Sequence, residues 1–141
     1  MADTQLINMP GTTFHAVASG AVVAGELLAS ASTTNVMTAI SQAGYVESTV
    51  LVSTATTSDD AIIVGVALTD AATGETLSVA TQGLFIFAGD AANAATTGKL
   101  VEQGATAQTI KDSAAYGNVI GRALTGTTAA ASKYLLVRIN I

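Results

Sequence analysis

This chain states one pattern twice, and that repetition limits what it can fold into. Ile62–Asp70 (Ile-Ile-Val-Gly-Val-Ala-Leu-Thr-Asp) returns as Asn118–Gly126 (Asn-Val-Ile-Gly-Arg-Ala-Leu-Thr-Gly). Each copy leads through an Ala/Thr-rich turn into a second apolar run, Leu77–Val79 or Leu135–Val137, and each is preceded by a glycine, a charge and an apolar pair, Gly25–Leu28 and Gly98–Val101. Short apolar runs between Gly, Thr, Asp and Asn clusters read as strands and turns. The repeat therefore predicts an all-β chain, a compact antiparallel β-barrel or sandwich built from two similar halves. The halves fall at about 20–82 and 83–141 within a single β domain, 13–141. Gly25 and Gly65 lie 40 residues apart but Gly98 and Gly121 only 23, so the first half carries an insertion of about 17 residues around Ser30–Asp60.

Strands are expected at Thr13–Ala18, Val22–Leu28, Glu47–Ser53, Ile62–Thr69, Thr76–Thr81, Leu84–Ala88, Lys99–Glu102, Val119–Leu124 and Tyr134–Ile141. Asn35–Ala43 and Asp90–Thr96 could each form a helical turn, since Ala favours helix and Asn or Asp can cap it. Residues 1–12 read as an extended N-terminal arm: a polar start, then the apolar anchors Leu6, Ile7 and Met9 before the turn pair Pro10–Gly11. Such an arm is expected to be mobile alone and ordered against a neighbour. Phe14–Ala29 reads as neither a signal peptide nor a membrane span, because no cation precedes it and His15, Ser19 and Glu26 interrupt it.

Composition argues for a surface that packs against something. Half of the 141 residues are apolar, but only 4% are aromatic and 11% charged, against a usual charged share of about 25%. A core of Ala and Val buries little area per residue at roughly 25 cal/mol per Å², which leaves a lone subunit weakly held and predicts self-association. Charge is polarised along the chain. Met1–Gly98 holds eight acids and no Lys or Arg, and Lys99–Ile141 holds all five bases with two acids. Such polarity can steer one subunit onto another, while a net charge of −5 with scattered cations offers no stripe for nucleic acid.

Little in the chain carries chemistry. The single histidine, His15, sits between Phe14 and Val17 as an ordinary strand residue would. Asp59–Asp60 could bind a cation but reads as a turn before a strand. Asp70–Glu75 lacks the alternating ligands of a calcium loop. Gly20–Gly25 has the glycine spacing of a phosphate loop, yet Glu26–Leu27 stands where Lys and Ser or Thr would follow. Phe85 and Phe87 share one face of a strand; they could stack on a sugar or base, and core or subunit packing is the plainer reading. With no cysteine, disulfides and thiolate metal sites are excluded. No catalytic, cofactor-binding or metal-binding residue is assigned.

Taken in order, Gly20–Leu28, Ile63–Phe85, Gly98–Val101, Asn118–Leu124 and Leu136–Ile139 resemble the small capsid decoration, or cement, proteins of tailed bacterial and archaeal viruses. The likeness covers most of residues 20–141. It implies a β-rich, non-enzymatic subunit that forms a homotrimer on the outside of an icosahedral shell, bridges capsomers of the major capsid protein, and meets the particle in the host cytoplasm during assembly. Two departures stand out: Glu102–Gln103 replaces an aromatic pair and acid frequent in the family, and Ser30–Asp60 is long. Contact with partners is expected at Leu6, Ile7, Met9, Phe85, Phe87, Arg122 and Lys133, with Lys99 and Arg138 as further cations able to meet a partner's carboxylate. A tail, fibre or cell-surface adhesion domain is the alternative of similar composition, and a small sugar-binding or hydrolase domain a more distant one. Neither membrane nor nucleic acid is an expected partner.

Overall fold

A computed structural model describes residues 5–6, 12–31, 50–56, 63–114, 118–127 and 134–141. They form eleven strands and no α-helix. The first barrel contains β2 (Thr13–Ala18), β3 (Leu27–Ser30), β4 (Val50–Thr54), β5 (Ile63–Ala67) and β6 (Thr76–Ala80), closed in the order β2-β4-β3-β5-β6. The second contains β7 (Gln82–Gly89), β8 (Leu100–Gln103), β9 (Thr109–Asp112), β10 (Gly121–Ala123) and β11 (Tyr134–Asn140), ordered β7-β11-β10-β8-β9, with β9 returning to β7. β1 (Gln5–Leu6) adds antiparallel to the edge of β7 before the stretch that β9 occupies.

The two barrels have one topology. β2 and β7 each pair antiparallel with the last strand of their barrel and parallel with its third, β4 or β9. These parallel pairs are the departure from a purely antiparallel barrel. Leu27 stands opposite Val66 as Leu100 stands opposite Arg122, and Val66 opposite Ala80 as Arg122 opposite Arg138. The repeated glycines carry this geometry. Gly25 and Gly98 adopt φ of 92° and 84°, a turn conformation that a side chain disfavours, and their N–H groups donate to Ala67 and Ala123 carbonyls at 2.7 and 2.8 Å. At Gly65 and Gly121 a Cβ would collide with the carbonyl of the facing strand, Ala80 or Arg138.

Nineteen residues separate β3 from β4 but only five separate β8 from β9, whereas eight follow β4 and eight follow β9. The extra length of the first half thus lies mainly between β3 and β4. Most of that stretch, with the helical turn expected at Asn35–Ala43, is outside the described residues. Asp90–Thr96, the other expected helical turn, is a series of bends. Asp90 accepts the N–H groups of Ala92 and Asn93 as a cap would, but Ala95 is drawn into a bridge with Thr127 instead of a helix. β3 begins five residues later than expected, because Gly25 turns the chain after Val22 bridges Ala71.

Alternation along the strands fills each barrel. Ala16, Ala18, Leu28, Val52, Ala67, Leu77 and Val79 form the first interior. Phe85, Phe87, Val101, Ile110, Ala123, Leu135 and Val137 occupy the second. The outward residues Leu27, Ala29, Val66 and Ala80 of the first barrel belong to this same second cluster, so one outer side of the first barrel packs on the second. Burying Leu27 and Val66 completely contributes on the order of 1.5–3 kcal/mol each. Gln108 locks the joint. At φ 61° its Oε1 accepts the Leu27 N–H at 2.6 Å, and its Nε2 donates to the Leu27 and Ala55 carbonyls at 3.1 and 2.9 Å.

Candidate interaction surface

Most of the described carboxylate side chains are occupied in holding turns. Glu26 accepts the Val23 N–H and the Thr54 hydroxyl. Asp70 takes the N–H of Ala24, and Glu75 that of Ala72, so the loop that superficially resembles a calcium site spends its acids on separate backbone groups. Buried Glu102 accepts from Ser113 and lies 3.4 Å from the Lys111 ammonium. Burial pushes the Asp90 carboxyl's pKa up, but the side-chain hydrogen bond from Asn93 and the backbone N–H groups of Ala92, Thr106 and Asn93 outweigh it and hold the group at about 2. Asp112 is also lowered: burial opposes, while the Thr96 hydroxyl, the Thr96 N–H and the Lys99 charge prevail. Among the described residues no cluster of His, Asp or Glu could hold a metal ion. His15 is exposed on β2 opposite Ser78, and Asp59–Asp60 lie outside the described residues.

The outer faces distinguish the barrels. On the first, outward positions of β2 and β6 carry Thr13, His15, Val17, Thr76 and Ser78; the matching positions of β7 and β11 carry Leu84, Ile86, Ala88, Tyr134 and Leu136. Register aligns these as Ala88 opposite Tyr134, Ile86 opposite Leu136 and Leu84 opposite Arg138. Tyr134 is 52% exposed and Leu124, beside β11, 40% exposed. Ile86, Thr125, Tyr134, Leu135 and Leu136 line an open groove of about 290 Å³. At one end of this apolar strip Arg138 faces Arg122 across β10 and β11, both exposed. Arg122 donates to the Gly98 carbonyl. Among the described residues no carboxylate forms an ion pair with either arginine; the ion pairs there are Lys99–Asp112 and Lys111–Glu102. The surface can therefore bury apolar side chains and receive negative charge.

The residues expected at partner contacts are dispersed. Phe85 and Phe87, 1% and 0% exposed, lie inside the second barrel with ring centroids 6.2 Å apart. Leu6 pairs through its backbone with Phe85. Ile7, Met9 and Lys133 lie outside the described residues, and Arg122 is on the outer face. Leu84, Ile86, Leu124, Tyr134 and Leu136 are not among the contacts expected from the sequence. The signal was available in the unbroken apolar runs Leu84–Ala88 and Tyr134–Val137. A strand wet on one side alternates, and one apolar at every position has two faces to cover.

Residues 46–139 match the family described as Phage cement protein. That is more than half of the chain, and the chain belongs to this family of structural proteins of the phage capsid. Its place is on the virion. The fold is similar to the crystal structure of the head fiber gp8.5 N base of bacteriophage phi29, at 19% identity and a TM-score of 0.52, over 92% of this chain and 93% of that one. No curated protein matches the chain.

Proposed function

We propose that this protein cements the capsid from outside, as a homotrimer that touches the major capsid protein of neighbouring capsomers and joins the particle in the host cytoplasm. The observation that carries this reading is the match to the cement family over residues 46–139. The apolar strip present on only one of two otherwise equivalent barrels supports it. A fold requirement would apply to both barrels, so the strip belongs to a contact the second barrel makes. Three equivalent feet convert later contacts into intramolecular events, and three contacts of about −4 kcal/mol each, millimolar alone, then give tight attachment. A protein that binds only the assembled shell stabilises it by mass action. The arm, residues 1–12 with Leu6, Ile7 and Met9, adds contact to a neighbouring subunit or the shell.

The test uses particles stripped of this protein and then reloaded. Expected are discrete density at positions between capsomers, three copies per position, and shells that resist heat or chaotrope better than stripped ones. Removal of residues 1–12 is expected to lower occupancy and leave the barrels folded. Binding to cells or glycans without any affinity for shells would replace this reading with adhesion.

A further inference from the structure

We infer that the outer face of β7, β10 and β11 receives an extended segment of the shell protein that presents a carboxylate followed by apolar side chains. This rests on the cementing reading and names the partner's chemistry. The first support is an internal conflict. Arg122 and Arg138 are directly opposed on neighbouring strands, where Cβ atoms lie about 4.5–5.5 Å apart and like charges destabilise the sheet. The same two positions in the first barrel are Val66 and Ala80, so the fold has no need of arginine there. A carboxylate brought onto this face would offset the excess of positive charge through charge-assisted hydrogen bonds from guanidinium donors. The hydrogen bond from Arg122 to the Gly98 carbonyl already fixes one of the two groups, so less freedom is lost on binding.

The second support is the order of side chains beyond the arginines. Outward residues on one strand recur at about 6.6–6.8 Å, and along β11 they run Arg138, Leu136, Tyr134. Beside them run Leu84, Ile86 and Ala88 on β7. An extended partner with an acid at one position and apolar residues two and four positions along meets each row in turn. A second copy is the poorer occupant. Leu124 and Tyr134 are two of the three large exposed hydrophobic residues among those described, so a second copy that used only its described surface would bring strip against strip. That contact would gather four arginines with no described carboxylate among them.

The experiment compares wild type, the double variant Arg122→Glu/Arg138→Glu, Leu136→Asp, and His15→Glu as a control on the equivalent face of the first barrel. Each is measured for solution mass, for melting temperature and for binding to stripped shells at low and high salt. Expected is at least about a tenfold loss of shell binding for the arginine and Leu136 variants, with unchanged mass and fold. The control should bind as wild type, and wild-type binding should weaken as salt rises. If the arginine or Leu136 variants instead change the mass of the free protein, the face lies between copies and the inference is overturned while cementing stands. Full shell binding by these variants also overturns it. Failure of wild type to bind stripped shells at all removes the cementing reading itself, a separate outcome.

Discussion

The two barrels share strand order, register and glycine positions, yet differ in what fills and covers them. Where the first has Ala16, Val52 and Ala71 inside, the second has Phe87, Ile110 and Thr127. Where the first buries Leu27, Val66 and Ala80 against its neighbour, the second exposes Arg122 and Arg138 and half-exposes Leu100. Glycine turns and hydrogen bonds hold the same backbone geometry in both barrels, and the side chains set on it differ. One barrel became a small-residue unit that leans on the other. The second holds the larger side chains in its core and has an outer face on which Leu124 and Tyr134 are exposed.

This asymmetry makes the second barrel's core the place where damage is greatest. Phe87→Ala removes a completely buried ring and is expected to destabilise by about 3–5 kcal/mol, read as a lower urea midpoint. Because the outward side of the first barrel shares that cluster, both barrels should unfold together. A biphasic transition with an early second barrel would break the picture of one barrel leaning on the other.

The joint comes next. Gln108→Ala leaves the Leu27 N–H without its 2.6 Å partner, an expected loss of about 1–3 kcal/mol. Hydrogen exchange should speed at Leu27 in particular. A slightly smaller effect is expected from acid. Asp90 occupies the place of Ser19 in the first barrel, each N–H donating to the strand beside it, Ile110 or Val52. Its pKa falls from 3.8 to about 2 on folding, so the carboxylate is the form that stabilises. The contribution, about 2 kcal/mol, is fully present above pH 4 and is lost as pH falls toward 2. Urea midpoints measured across that window should drop less for Asp90→Asn than for wild type.

How much of this was legible in the chain depends on how far each residue reaches. The repeat, the barrel class and the strands from Thr13 and Tyr134 were readable because their determinants are local: glycines at turns and close approaches, and runs of Val, Leu and Ile. β9 was not. Thr109-Ile110-Lys111-Asp112 offers one buried side chain, and the strand exists because β7 and β8 hold it from both sides. Gln108 was invisible for the same reason, since a glutamine in a polar loop acquires its role from Leu27, 81 residues away. The outer strip was readable in principle, but a run apolar at every position looks like core until its register is known.

The smallest expected effect tests the divergence most closely. In the first barrel Glu26 satisfies the Val23 N–H and touches Thr54. In the second, Lys99 stands where Glu26 does and Asp112 where Thr54 does, and it is Asp112 that accepts the matching Thr96 N–H at 2.7 Å. The same orphan donor is thus served by a carboxylate from opposite sides of the turn. Lys99 only adds an ion pair at 3.4 Å, with its side chain 64% exposed, and exposed pairs contribute about 0–1 kcal/mol. Lys99→Ala should therefore change stability by under about 1 kcal/mol and less still in high salt. Asp112→Ala and Glu26→Ala should each lose more, about 1–3 kcal/mol, because each removes two hydrogen bonds of about 0.5–1.5 kcal/mol apiece. If Lys99→Ala proves as damaging as Asp112→Ala, charge pairing rather than the turn's N–H is what the second barrel preserved, and the equivalence of the two turns fails.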